Sequence, residues 1–162
     1  MRLKKMIAAA WVVVIVFASV PMLCAAEEPK PDPNRAWPVQ VDEYVAKVKK
    51  EIKLIDMEAF KKIADNKGDA IIIDAREPEE FTSGRVPGAV NIPRGLAEFK
   101  IWKALAGFPD KTNTALKIYV YCKLGGRAAL TTKALQDVGF TNVTAVDMKL
   151  ADWVKANYPI ER

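Results

Sequence analysis

The sequence predicts an α/β fold in which helices flank a central sheet of parallel strands. Short apolar runs alternate with amphipathic stretches along most of the chain, as in a doubly wound sheet. The run at residues 70–74 is apolar until it ends in an acid, which is typical of a strand buried on both faces. A second run, residues 117–121, leads through a cysteine and two glycines towards a helix. We therefore expect a three-layer domain with its functional loops at the carboxyl ends of these two strands.

The first half of this domain follows the expected alternation. Apolar residues at helical spacing between 41 and 53 predict an amphipathic helix, and its lysines are expected to form a solvated face. A short edge strand comes next at residues 54–55. Asp56 is a favourable N-cap for a helix over residues 57–65, which Gly68 is expected to close.

The later elements continue the same alternation of helices and strands. They are a helical turn at 78–83, a turn at 86–89, a strand at 90–92, a helical stretch at 96–105, the strand at 117–121, a helix at 128–138, a strand at 143–146 and a helix at 150–157. In a parallel sheet of this kind, the loops after Asp74 and after Tyr121 would form the two sides of one crevice.

Cys122 lies where the strand at 117–121 meets the following helix. Unpaired backbone N–H groups and the helix dipole favour an anion at a helix start, and a thiolate is such an anion. Gly125 and Gly126 are expected to adopt positive φ so that N–H groups point inward, and Arg127 adds positive charge. A buried core cysteine followed by a plain Gly-Gly turn is the alternative. The combination of features favours a reactive thiolate.

Composition excludes several classes of site. The chain has 162 residues, 51% of them hydrophobic, which suits one compact domain. It contains no histidine, which excludes Cys–His proteases, serine triads with a histidine base and most zinc hydrolases. A thioredoxin-like motif is also excluded, because no second cysteine lies three positions from Cys122. We predict neither a metal nor a cofactor.

Residues 1–26 have the anatomy of a signal peptide. Three basic residues precede an apolar run, and Ala25 and Ala26 offer small side chains for cleavage near Ala26. The segment could instead be kept as a membrane anchor, or Cys24 could carry a lipid, although Leu23 is larger than the residue usual before such a cysteine. Each version predicts a periplasmic or otherwise exported protein. Membrane contact is expected only if the segment is retained.

The next segment, residues 27–40, is rich in proline and predicts an extended tether. The formal net charge is +5, and cleavage would remove three positive charges, leaving about +2. A nucleic-acid partner is therefore not expected. Cys122 would be the single cysteine of the cleaved chain, so it is either buried and inert, paired with a partner, or reactive.

Two spaced motifs resemble the rhodanese domain family. The sequence DAREPEEF at 74–81, followed by GRVPGAVNIP at 84–93, resembles the first signature of that family, and CKLGGR at 122–127 resembles its active-site loop. The resemblance covers residues 54–160 and assigns residues 54–162 to a rhodanese-like domain. Two positions depart from the family pattern: Arg85 stands where histidine is common, and Met148-Lys149 stands where Gly-Gly is common.

The resemblance implies a sulfurtransferase. Cys122 would attack a small sulfur-containing anion such as thiosulfate, hold its sulfane sulfur as a persulfide, and pass it to a thiophilic acceptor such as cyanide, a thiol or a protein. Backbone N–H groups of the loop would stabilise the negative sulfur. That loop consists of Lys123, Leu124, Gly125, Gly126 and Arg127.

Four charged residues in or next to these motifs have two interpretations each. Asp74 and Arg76 either shape the site as an ion-pair network or contact substrate. Arg127 either attracts the anion or braces the loop against an acid such as Glu80. Arg94 either lines the pocket or is a solvated arginine at a helix start.

Loop length separates the sulfur-transferring members from the related phosphatases. Four residues lie between Cys122 and Arg127, as in the sulfurtransferases, whereas the phosphatases enclose five. A sulfur-carrier module with little turnover of its own, serving a partner protein, is the main alternative function. A catalytically idle fold is a third, which the intact Cys122 disfavours.

Overall fold

The computed structural model describes residues 36–162, which form a five-stranded parallel sheet flanked by helices. The strands are β1 (Lys53–Ile55), β2 (Ile71–Asp74), β3 (Ala89–Asn91), β4 (Ile118–Tyr121) and β5 (Val143–Val146). The helices are α1 (Val39–Glu51), α2 (Met57–Asp65), α3 (Pro78–Ser83), α4 (Ala97–Ile101), α5 (Gly126–Asp137) and α6 (Leu150–Lys155). A 3₁₀ turn (Arg94–Leu96) precedes α4, and a π-helical turn (Trp102–Ala106) follows it. The predicted α/β class is confirmed.

The strand order β1-β5-β4-β2-β3 places β4 at the centre of the sheet. All four residues of β4 are buried, and Asp74 at the end of β2 lies in register with Tyr121 at the end of β4. The loops after β2 and β4 therefore leave the same edge of the sheet side by side. This is the arrangement that the sequence predicts.

Side chains of β4 alternate between two hydrophobic clusters, one on each face of the sheet, because successive residues of a strand point to opposite faces. Tyr119 and Tyr121 belong to one cluster. Ile118 and Val120 belong to the other, together with Cys122. The strand periodicity thus continues one residue past β4 and directs Cys122 towards the face that α5 covers.

Several helix boundaries differ from the prediction. Helices α1 and α6 end at Glu51 and Lys155, two residues earlier than predicted in each case, and the helical stretch predicted over 96–105 is an α-helix only from Ala97 to Ile101.

Three further differences concern helix starts and caps. Helix α1 begins at Val39 rather than residue 41, so it includes the last two residues assigned to the tether. Asp56 caps α2 as expected, accepting a 2.8 Å hydrogen bond from the backbone N–H of Ala59, but the C-cap is Asn66. Gly68 lies in the turn beyond it with φ 51°, so the prediction that Gly68 closes this helix is wrong.

The third difference concerns α5, which begins at Gly126 rather than at residue 128. The predicted signal peptide, residues 1–26, and residues 27–35 of the predicted tether lie outside the described residues. Between residues 36 and 162, no helix has the length and apolar character needed to cross a bilayer.

Candidate active site

Cys122 follows directly after β4 and is a free cysteine with 1% of its surface exposed. The backbone N–H of Ala128, in the first turn of α5, donates a 3.3 Å hydrogen bond to its Sγ. The N-terminus of this 12-residue helix therefore faces the sulfur, where the helix dipole stabilises negative charge. The sequence predicted donors among residues 123–127, and the donor present at Sγ is one residue further along.

The two glycines of the loop have different conformations. Gly125 is the N-cap of α5 with φ 85°, a left-handed conformation that glycine adopts without strain. Gly126 is the first helical residue, and its φ is not positive. The prediction that both glycines adopt positive φ is therefore wrong for Gly126.

The loop between β4 and α5 is supported from the segment after β5. The carbonyl of Lys123 accepts a 3.0 Å hydrogen bond from the N–H of Leu150. Asp147 lies so close to Gly125 that a Cβ on that glycine would be 2.9 Å from its carboxylate oxygen. Asp147 also accepts a 2.5 Å hydrogen bond from Nζ of Lys49 in α1. Met148, one of the departures from the family pattern, is buried in the adjoining core.

This contact changes the interpretation of α1. Lys47 and Lys50 are exposed, as a solvated face requires, but Lys49 is half-buried and its charge is paired with Asp147. Lys49 is therefore an anchor between α1 and the loop after β5.

Arg127 braces the loop against α3. Its guanidinium donates hydrogen bonds of 2.6 and 3.0 Å to the two carboxylate oxygens of Glu80, and Glu77 lies 3.8 Å away. The hydrogen bond to Glu80 raises the pKa of Arg127, and the same contact lowers the pKa of Glu80. Of the two interpretations of Arg127, the structure shows the contact with Glu80.

Asp74 and Arg76 form a buried ion pair behind the loop. Arg76 donates to Asp74 through Nε at 3.0 Å and Nη2 at 2.6 Å, and Nη2 also donates to the carbonyl of Gly84 at 2.7 Å. Burial opposes the charge of Arg76, but the hydrogen bond and charge of Asp74 outweigh it and raise the pKa of Arg76. Both groups are at most 5% exposed, so they have the geometry of the ion-pair network rather than that of a substrate contact.

Neighbouring side chains complete the buried network. Asn91 donates to the carbonyls of Asp74 and Arg76 at 3.1 and 2.9 Å, which fixes the turn after β2. The hydroxyl of Tyr121 accepts a 3.1 Å hydrogen bond from the N–H of Val86, and burial raises the pKa of this phenol. Arg94 pairs with Glu98 at 3.1 Å.

A cavity of about 600 Å³ opens in front of Cys122. Its lining in the described part of the chain comes from two segments. One is the loop and start of α5, with Cys122, Lys123, Leu124, Gly126, Arg127 and Leu130. The other is α1 and the chain just before it, with Trp37 ahead of the helix and Val41, Asp42, Val45, Ala46 and Lys49 on it. The crevice predicted between the loops after Asp74 and Tyr121 is therefore corrected: α1 forms the wall that the Asp74 loop was expected to form.

The site brings together a buried thiol, a helix N-terminus and an apolar cavity. Such an arrangement can stabilise a thiolate and a small anion bound to it. Within residues 36–162, no group of three or more His, Cys, Asp or Glu side chains is placed to hold a metal ion.

Comparison with known proteins identifies the family. Residues 56–156 match the rhodanese-like domain. The chain belongs to the rhodanese-like domain family. This rhodanese-like chain is 31% identical over 99 residues to the Bacillus subtilis protein named "Putative sulfur carrier protein YrkF", which covers 61% of the chain and 49% of YrkF. It is 35% identical over 71 residues to the Escherichia coli thiosulfate sulfurtransferase PspE, covering 44% of the chain and 62% of PspE.

Comparison with solved structures finds proteins of the same fold. A Rhodopseudomonas palustris protein, described as a possible tyrosine phosphatase, superposes with a TM-score of 0.63 at 24% identity, covering 82% of this rhodanese-like chain and 98% of that protein. The chain spans less than two thirds of the length of both YrkF and PspE. Sulfur transfer is thus supported at the level of the family.

Sequence reasoning missed two parts of the site. The first is the hydrogen bond from the backbone N–H of Ala128 to Cys122. The sequence could not indicate this donor, because any residue other than proline at that helical position would have the same N–H group. The cavity wall formed by Trp37, Val41 and Val45 could not be placed, because amphipathic spacing predicts a buried face without saying which surface covers it.

Proposed function

We propose that this protein is a rhodanese-type sulfurtransferase in which Cys122 carries the sulfur. The Cys122 thiolate attacks the outer sulfur of thiosulfate or a similar donor. A new S–S bond forms as the donor S–S bond breaks, and sulfite leaves with the bonding electron pair. A thiophilic acceptor such as cyanide or a thiolate then attacks the outer sulfur of the persulfide and releases the Cys122 thiolate.

The observation that carries this proposal is the 3.3 Å hydrogen bond from the N–H of Ala128 to Sγ of Cys122, a residue that lines a cavity. Thiolate and persulfide are both anions, so a fixed N–H donor and a helix N-terminus stabilise each state without a proton-accepting base. The chain contains no histidine that could act as that base. The similarity to PspE, a thiosulfate sulfurtransferase, supports the same chemistry.

Mass spectrometry of the intact protein after incubation with thiosulfate tests this proposal. We expect a gain of one sulfur atom that maps to Cys122, is absent in Cys122→Ala, and is removed by cyanide with release of thiocyanate. Cys24→Ala is the matched control, because it removes the other cysteine and should keep the gain. Failure of Cys122 to gain sulfur would reject the proposal.

A sulfur-carrier role is the second candidate, and the similarity to YrkF favours it. A carrier would hold the persulfide and release it only to a dedicated protein acceptor. Steady-state conversion of thiosulfate and cyanide to thiocyanate by the wild type supports the enzyme. A stable persulfide with no turnover supports the carrier.

We also propose that residues 1–26 direct export, on the strength of their basic start, apolar run and small residues near Ala26. N-terminal sequencing of the protein recovered from the periplasm tests this. A mature chain that begins near Glu27 is expected, and a full-length cytoplasmic chain would contradict the proposal.

A further inference from the structure

We infer that a patch on α4 and the turns that follow it docks on a bilayer surface that carries anionic phospholipid headgroups. The patch combines aromatic rings with exposed lysines and is called the α4 patch. Its members are Phe99, Lys100, Trp102, Lys103, Phe108 and Lys111. The inference goes beyond the proposed sulfur transfer and does not rest on it, because in the described part of the chain none of these residues lines the cavity at Cys122.

The exposure of two phenyl rings is the first argument. Phe99 is 78% exposed and Phe108 is 57% exposed, and Phe99 is the most exposed large apolar side chain between residues 36 and 162. Both rings border one open groove, together with Trp102. A contiguous apolar surface of this kind marks a place where a partner or a membrane removes the surface from water.

The backbone that carries the rings is fixed to the core. On the inner side of this segment, Ala97, Ile101 and Ala106 are buried, with exposures of at most 2%. The ring of Trp102 packs against buried Phe140, with the two ring centroids 5.0 Å apart. Because the inner side is already filled, the two phenyl rings have no space in the core. Their exposure therefore follows from the fold.

The charge around the rings is the second argument, because it favours a negative surface. The segment from Arg94 to Lys111 has four basic and two acidic side chains, a net charge of +2. One of the acids, Glu98, is already paired with Arg94 at 3.1 Å. Lys103 lies four residues after Phe99 and borders the same groove. Each lysine near an anionic bilayer increases membrane affinity roughly fivefold.

Protein occupants fit this charge pattern less well. A second copy of the chain, related by a two-fold axis, would bring the three lysines of one α4 patch against the same lysines of the other, and like charges repel. A different protein is also a poor fit, since lysine is depleted at protein interfaces. Phenyl rings beside lysines are instead typical of surfaces that lie in the membrane interface.

Docking through the α4 patch would be shallow. The rings of Phe99 and Phe108 would lie at the boundary between headgroups and acyl chains, and the lysines would contact phosphate oxygens. Salt screens this second contribution, so the contact would weaken as ionic strength rises. It would form whether residues 1–26 are cleaved or retained.

Hydrogen–deuterium exchange of the full-length protein on vesicles tests the inference. This measurement locates the contact even if residues 1–26 bind lipid by themselves. Exchange of the amides in residues 96–112 is compared on phosphatidylcholine vesicles and on vesicles with equal parts of phosphatidylcholine and phosphatidylglycerol. We expect exchange to slow by at least about fivefold on the anionic vesicles and to recover at high salt. The amides of α6 are the internal reference and should not change.

Matched variants show whether the α4 patch causes the protection. F99A/F108A should lose it. Val154→Ala should keep it, because it removes an apolar side chain of α6 that is 53% exposed and lies outside the patch. K100Q/K103Q/K111Q should also lose most of the protection, and it removes only surface charge, so it tests the inference even if F99A/F108A is unstable.

Three results would overturn the inference. The first is an unchanged exchange rate of residues 96–112 on anionic vesicles, and the second is equal protection on phosphatidylcholine alone. The third is the same protection at high protein concentration without lipid, which would assign the α4 patch to a protein interface. Each result leaves the proposed function unaffected, because sulfur transfer is measured separately on Cys122.

Discussion

At the scale of single residues, the two glycines of the active-site loop differ in whether a side chain could replace their hydrogen. Gly125 has φ 85°, and a Cβ there would lie 2.9 Å from Oδ1 of Asp147. A Cβ on Gly126 would lie 3.7 Å from Val45, which is ordinary contact. A larger residue should therefore be tolerated at position 126 but not at position 125.

Alanine substitutions at these two positions should have clearly different effects on stability and on sulfur transfer. Gly125→Ala places a side chain in the left-handed region and should cost about 1–2 kcal/mol in unfolding free energy, with loss of sulfur transfer as the loop shifts. Gly126→Ala should change stability by less than about 1 kcal/mol, since alanine favours the first turn of a helix. Urea unfolding and persulfide formation give the two readouts. Equal losses would show that the helix does not begin at Gly126.

The buried pair of Asp74 and Arg76 leads to a second prediction. Arg76→Met removes the partner of a carboxylate that is fully buried, so we expect a loss of about 3–5 kcal/mol in unfolding free energy. Arg94→Met is the matched control, because it breaks the half-buried pair with Glu98 four residues away and should cost at most about 0.5 kcal/mol. Similar losses from the two substitutions, measured by urea unfolding, would contradict the assignment of Asp74 and Arg76 as a structural network.

At the scale of secondary-structure elements, α3 and α5 are joined by the pair of Glu80 and Arg127. Glu80 also belongs to the capping box of α3, where it accepts from the N–H of Glu77 at 3.3 Å. One carboxylate thus stabilises the start of one helix and fixes the first turn of another.

This pair should make the protein sensitive to acid. Arg127 lowers the pKa of Glu80 in the folded protein, so the stabilisation is present above the ordinary value of 4.5 and is lost as pH falls through the lower folded value. Glu80→Gln should flatten the dependence of Tm on pH in that range below 4.5, whereas Glu79→Gln, an exposed neighbour, should leave it as in the wild type. An unchanged pH profile in Glu80→Gln would show that the pair contributes nothing to stability.

The elements themselves were largely predictable, and the exceptions have physical causes. Strands β2 and β4 follow from uninterrupted apolar runs, and the N-cap of α2 follows from Asp56. The start of α5 was placed two residues late because glycine is a poor helix former in general, and here the N-terminal position of Gly126 removes most of that penalty. The place of α1 at the cavity depends on Lys49 meeting Asp147, 98 residues away, which no local pattern records.

At the scale of the whole molecule, the length of the loop between β4 and α5 limits which anions the site can hold. The structural neighbour from Rhodopseudomonas palustris, described as a possible tyrosine phosphatase, is similar enough to show the fold and no more. Here only three residues, Lys123 to Gly125, lie between Cys122 and the start of α5. The N–H of Ala128 is already in contact with Sγ.

This short loop predicts that phosphate esters are not substrates. A phosphoryl group needs several N–H donors around its three oxygens, and in this short loop the N–H of Ala128 is already bonded to Sγ of Cys122. We expect no turnover of an aryl phosphate by the preparation that accepts sulfur from thiosulfate. Hydrolysis of the aryl phosphate that disappears in Cys122→Ala, with no sulfur transfer, would reverse the assignment.

The burial of Cys122 has a consequence for the lifetime of the sulfur it would carry. Only 1% of the residue is exposed, and its neighbours in the core cluster include Val120 and Ala128. In the part of the chain that the structure describes, Cys122 borders the cavity, so oxidants and bulky thiols that enter from the cavity take the same route as the acceptor. Under the proposed function, burial of Cys122 between the sheet and α5 would protect its persulfide from reaction with solvent. Transfer of the sulfur would then require an acceptor small enough to enter the cavity.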